Sequence, residues 1–220
     1  ASSSRFKNKT RTTFHSKPWS HYTLSAMDLF CRARPNWDVD VVLNSDSGLM
    51  RDIICRTSPV VGYIHRPSAL AGVIVPKMAV FMHSLMVMEE KRGDTYDYLM
   101  DLDLTSPLRR LADVTGCVAK KEERDDLDLV TTAAPSRRSP FMNMAKRVED
   151  HVEPVIHTEF TARQQTPACY DLNASIYAFN RDFLANNKPG LLWDGKVGVH
   201  EMMDTGILDI DSEEDFALLE

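Results

Sequence analysis

The spacing of apolar positions changes several times along the chain, and each change marks an element. Trp19, Tyr22, Ala26, Leu29 and Phe30 recur near helical spacing, which predicts an amphipathic helix over residues 19–34. The β-branched run DVDVVLNSD, residues 38–46, reads as a buried strand that ends in polar residues, and LMRDIIC after it suits one short helix. KMAVFMHSLMVMEEKRG, residues 77–93, reads as a helix stopped by Gly93. YDYLMDLDLTSPLR, residues 96–109, predicts a strand that runs into a loop at Thr105, Ser106 and Pro107. LRRLADVTGCVAKKEERDD then reads as a helix and LDLVTTAAPS, residues 127–136, as a strand.

This alternation of strands and helices predicts an α/β fold with a mostly parallel sheet. The pattern then breaks. Residues 137–172 contain short strand-like pieces and three prolines, with no long helical stretch, and read as an excursion from the sheet. NASIYAFNRDFLANN returns to strand then helix; KVGVHEMM, ILDID and SEEDFALLE read as strand, strand and the start of a helix. The expected division is an α/β unit over residues 1–136 and 178–220, with residues 137–177 as the excursion.

At 220 residues, 43% hydrophobic and 26% charged, the chain is ample for one core. A net charge of −6 argues against broad nucleic-acid binding, which needs a basic face. No apolar run approaches the length of a membrane span. The four cysteines form no C-x-x-C pair and read as reduced thiols, so a cytoplasmic location is expected. The first eighteen residues carry Arg5, Lys7, Lys9, Arg11 and Lys17 with no acid, and on composition alone read as a disordered tail.

In a parallel sheet, ligands bind beyond the carboxyl ends of the strands. Three polar strand ends therefore stand out: Asn44-Ser45-Asp46; Asp103 with Thr105 and Ser106; and Asp209 with Asp211 in GILDIDSEEDF. On a strand, Asp209 and Asp211 share a face and repel unless a hard cation such as Mg2+ lies between them. On spacing alone the pair suits better a strand end followed by a helix whose first turn is acidic, with Ser212 as its cap. A basic opening segment facing paired carboxylates is what metal-assisted attack on phosphorus requires.

Six blocks, in order, resemble the N-acylneuraminate cytidylyltransferases (CMP-sialic acid synthetases) and their relatives acting on other nonulosonic acids. SSRFKNKTRTTFHSKP is similar to the family's phosphate loop, with Ser3, Arg5 and Lys9 in place and Lys17-Pro18 eight residues after Lys9. VVLNSDS, LDLTSPLR, PSRRSPFMNM, RQQTPACYDLNASIYAFNRDFL and LDIDSEEDF resemble successive further blocks. The resemblance implies a Rossmann-like, mostly parallel sheet of the nucleotide-diphospho-sugar transferase type, a homodimer built through the excursion, and a CTP-dependent nucleotidyltransferase that activates a nonulosonic acid. It implies Mg2+ on Asp209 and Asp211, phosphate binding by Ser3, Arg5 and Lys9, and catalysis by Arg5, Lys9 and Asp211. Asn44, Ser45 and Asp46 are expected near the nucleoside. Asp103, Thr105, Ser106 and Arg109 are expected on the floor, and Arg163, Gln165 and Tyr177 at the sugar, with Arg163 on its carboxylate.

The family pattern places an apolar strand ahead of the phosphate loop, whereas this sequence begins inside that loop, so a chain without its first strand is expected. Thr10 stands where Asn is frequent, Ser16 where Gly is usual and Asp103 where Gln is common. The alternatives are a 3-deoxy-manno-octulosonate cytidylyltransferase and a non-catalytic scaffold of the same fold.

Overall fold

Strand residues alternate between two faces, and in the computed structural model each face of a four-stranded sheet is covered by helices. The structure describes residues 13–72, 74–186 and 190–204, together with Asp215, Ala217 and Leu218. A two-residue hairpin, β1 (Thr13–Phe14) and β2 (Lys17–Pro18), leads into α1 (Trp19–Ala33). Next come β3 (Val42–Ser45), α2 (Gly48–Thr57), β4 (Gly62–His65), α3 (Lys77–Arg92), β5 (Tyr98–Leu102), α4 (Leu111–Glu123) and β6 (Leu129–Pro135). The excursion holds the hairpin β7 (Ala145–Val148) and β8 (His151–Pro154); β9 (Tyr170–Asn180), α5 (Arg181–Asn186) and β10 (Val197–Glu201) follow.

The main sheet has the order β10-β6-β9-β5, with β10 parallel to β6 and β9 antiparallel to both β5 and β6. Strands β3 and β4 form a separate parallel pair. Helices α1 and α4 cover one face, where Phe30, Val114, Cys117 and Val118 pack on Val130, Ile176 and Ala178. On the other face, Met78, Phe81 and Leu85 of α3 and Leu184 of α5 pack on Leu129, Tyr177 and Phe179. The β3–β4 pair joins this body through Leu43 and Leu104, which share a cluster with Met50 and Ile54 of α2. Arg92 adds ion pairs to Asp38 and Asp40.

The predicted helices at 19–34, 77–93 and 108–126 are present as α1, α3 and α4. Gly93 ends α3 with φ 74°, the left-handed conformation that glycine adopts without a Cβ penalty. Ser47 caps α2 by accepting from the Met50 amide. Strand β4, which has no counterpart in the sequence reading, is only Gly-Tyr-Ile-His, too short to show alternation. The expected boundary at residue 177 falls inside β9, which runs from Tyr170 to Asn180.

One irregularity shapes the site. The β6–β9 register shifts between Thr131, opposite Tyr177, and Ala133, opposite Leu172. The extra residues of β9 bulge there, with Ala174 at φ 53°. Thr132 locks the bulge: its hydroxyl donates to Asn173 Oδ1 at 2.6 Å and accepts from the Ile176 amide at 3.1 Å.

Candidate active site

The polar ends of β3 and β5 hold two networks. At β3, the Asn44 amide nitrogen donates to Ser84 Oγ at 2.8 Å, and its Oδ1 accepts from Arg66 Nε at 3.1 Å. Arg66 also donates to the Asn44 carbonyl at 2.6 Å. The Ser45 hydroxyl is buried and accepts from the Ser47 amide at 3.1 Å, while Asp46 is exposed at the strand tip. Asn44 and Ser45 thus stiffen this end and Asp46 projects from it.

At β5 the alternation of the strand decides what faces where. Met100 and Leu102 pack with the α1/α4 core and Leu99 with the α3 core. Asp101 and Asp103, in phase with Leu99, therefore face α3. Asp103 Oδ1 accepts from the Thr105 amide at 3.1 Å and its hydroxyl at 2.9 Å; Oδ2 pairs with Lys77 Nζ at 2.8 Å. Lys77, the first residue of α3, also lies 5.8 Å from the centre of the Tyr177 ring. Tyr177 is the cross-strand partner of Asp101, stands on the same face and stacks on Phe179.

These charges set one another. Burial raises the Asp101 carboxyl, and the neighbouring Asp103 charge raises it further, to about 6, against the opposing pull of Lys77, Arg109 and Arg66. Burial also acts to raise Asp103, but the Lys77 ammonium and the Thr105 hydrogen bonds outweigh it and hold this carboxyl below the usual range. Burial would lower Lys77, yet Asp103 and Asp101 hold it above an ordinary lysine.

Arg109 lies beneath. It is 7% exposed and donates to Thr23 Oγ1 at 3.0 Å, Ser175 Oγ at 3.2 Å, the Ser175 carbonyl at 3.0 Å and the Asp103 carbonyl at 2.5 Å. The β9 bulge presents Ser175 to it. Its donors are spent inside the protein, so it braces the floor from below. Ser106 is buried, and its hydroxyl has no hydrogen-bond partner among the described residues. Arg163 and Gln165 form an exposed 3-10 turn in the excursion. Gln165 Oε1 accepts from the Thr161 and Ala162 amides, and Arg163 donates to the Arg137 carbonyl at 2.5 Å. Among the described residues, no hydrogen bond or ion pair joins these two to Tyr177 or Asp103.

The structure thus brings Asp103, Thr105, Ser106, Arg109 and Tyr177 into one region and Asn44 to Asp46 into another. Ser3, Arg5, Lys9, Asp209 and Asp211 lie outside the described residues. Sequence reasoning missed Lys77, Asp101 and Arg66. The signal for Asp101 was present: it precedes Asp103 by two residues, the spacing that draws attention to Asp209 and Asp211.

A sheet with helices on both faces and polar, charged strand ends defines the class: an α/β protein. Comparison with solved structures agrees on the fold. A CMP:2-keto-3-deoxy-manno-octonic acid synthetase complexed with CTP superposes with a TM-score of 0.67 over 99% of this chain and 92% of that one, at 12% identity. A 4-diphosphocytidyl-2C-methyl-D-erythritol synthase from Anaerococcus prevotii gives 0.65 over 96% and 90%, at 13% identity. In sequence, the post-translational flagellin modification protein B of Campylobacter coli is 33% identical over 180 residues, 82% of this chain and 75% of that protein. The CMP-N,N'-diacetyllegionaminic acid synthase of Campylobacter jejuni matches to the same extent. No family model matches the chain. The chain belongs to the nonulosonic acid cytidylyltransferase family, which is a family of CTP-dependent nucleotidyltransferases.

Proposed function

We propose that this chain activates a nonulosonic acid with CTP, giving the CMP-sugar and pyrophosphate, and that Mg2+ assists at Asp209 and Asp211. The observation that carries the reading is the 33% identity, over 82% of the chain, to a CMP-N,N'-diacetyllegionaminic acid synthase. The anomeric 2-hydroxyl attacks the α-phosphorus; the new O–P bond forms as the bond to the β-phosphate oxygen breaks, and pyrophosphate leaves. Ser3, Arg5 and Lys9 hold the phosphates and take up charge on the leaving group. Asn44, Ser45 and Asp46 border the nucleoside. Asp103, Thr105 and Ser106 line the floor that Arg109 braces, Arg163 pairs with the sugar carboxylate, and Gln165 and Tyr177 contact the sugar.

Two carboxylates form a hard oxygen donor set that suits Mg2+. The ion supplies charge neutralisation at the triphosphate.

The active species is a homodimer. The excursion exposes Met142, Met144, Val152, Val155, Ile156 and Phe160, an apolar surface that a second copy would cover. The cytoplasm is the expected location. All four cysteines are free, and no helix among the described residues is long and apolar enough to cross a membrane.

Pyrophosphate release from CTP and Mg2+, measured against a panel of nonulosonic acids, tests the function. Release with at least one acid, lost in Asp211→Ala, is expected. Release that Asp211→Ala leaves intact would remove the metal assignment, and no release with any acid would remove the function.

A further inference from the structure

Resting on that function, the side chains above β5 point to which sugar is taken. Asp101 and Asp103 share a face with Tyr177, and Lys77 Nζ sits 2.8 Å from Asp103 Oδ2 and 5.8 Å from the Tyr177 ring. The Lys77 side chain is 54% exposed and that of Asp103 24%, and Asp101 is half-buried, so the group is open on one side. Three residues along the chain from Asp103, the buried Ser106 hydroxyl has no partner among the described residues. We propose that Asp101, Asp103 and Lys77 form a subsite that selects a nonulosonic acid presenting a hydroxyl there, over one presenting an acylamido methyl.

The chemistry follows from unsatisfied capacity. An ammonium has three donors, and the ion pair with Asp103 uses one of them. The Asp103 carboxylate accepts three hydrogen bonds from Lys77 and Thr105 and keeps lone-pair capacity. A sugar hydroxyl fits both, donating its proton to a carboxylate while accepting from Lys77. A methyl group pressed against the same surface strips water from three charges and returns no hydrogen bond. The raised Asp101 carboxyl adds to the case, since a group already poorly solvated gains most from a hydroxyl donor. Sites built to bond a hydroxyl reject analogues lacking it more strongly than apolar pockets reject an added hydroxyl.

The test uses the full chain, CTP, Mg2+ and two nonulosonic acids that differ only in carrying hydroxyl or acetamido at one ring carbon, taken over successive carbons. For one such pair, kcat/KM should favour the hydroxyl compound by about 10- to 100-fold. In the double variant Lys77→Met/Asp101→Leu that preference should fall to near unity, with the KM for CTP unchanged. Asp101→Asn, which keeps the shape and the polarity, should retain most of it. Equal use of every pair, a preference for acetamido, or an unchanged ratio in the double variant overturns the subsite while the function stands. If wild-type protein releases no pyrophosphate with any of these acids, the function fails and the subsite with it.

Discussion

Replacing Asp101 by Asn should make the protein more stable at neutral pH. Asp101 is ionised there but sits half-buried beside the Asp103 carboxylate, and its carboxyl is held at about 6 instead of 3.8. That difference disfavours the ionised form in the folded state by about 3 kcal/mol. An amide of the same shape removes the charge and leaves the packing on Tyr177 and Lys77 in place. The sign follows from linkage. A carboxyl with a raised folded-state value binds its proton more tightly when folded, so its contribution to stability falls as pH rises from about 4 to 6 and stays low above that. Urea unfolding of the two proteins should therefore differ by about 2–3 kcal/mol at pH 7.5 in favour of Asn, on the scale set by that difference. The gap should narrow as pH falls towards 4 and close below the ordinary aspartate value of 3.8, where wild-type Asp101 is protonated in both states. A variant less stable at pH 7.5, or a gap of the same size at pH 4.5 and 7.5, would refute the account of these charges.

Three further outcomes follow from neighbouring geometry. Asp103→Asn should cost about 1 kcal/mol at pH 7 by removing the Lys77 pair; because this carboxyl is lowered, the cost should fade only as pH falls below the ordinary aspartate range. Arg109→Met should destabilise by about 2–3 kcal/mol in denaturant melts, since it removes the guanidinium that ties Thr23, the Asp103 carbonyl and Ser175 together and leaves those carbonyls only the Thr23 hydroxyl and the Asp103 amide as donors. Gly116→Ala should cost about 1–3 kcal/mol, because its new Cβ would lie 2.2 Å from His200 Cε1, and a lower midpoint in thermal melts would register it.

What was legible in the sequence follows the range over which each signal acts. Helical spacing made α1, α3 and α4 visible because one face of each buries a run of side chains. The polar strand ends were visible because Asn44 to Asp46 and Asp103 to Ser106 interrupt apolar runs. Strand β4 was not, since four residues carry too little periodicity. The bulge at Asn173 to Ser175 was not, because Thr132 on another strand enforces it. Lys77 was read only as the first residue of a helix; its meeting with Asp103 spans 26 residues of chain and exists only once α3 crosses β5. The Asp101–Asp103 alternation was readable, but only Asp103, at the polar end of the strand, stood out from the apolar run.

The excursion leaves the sheet at the end of β6 and returns along β9, which is the neighbour of β6. The Ser136 amide donates to the Cys169 carbonyl at 2.8 Å, closing the base of this long detour. Its two ends are therefore stitched together independently of what lies between them. A module joined in this way can lengthen, shorten or change its outer face without moving the register of either strand. Evolution is then free to rework the outer face of the excursion while leaving the sheet and the helices packed on it untouched.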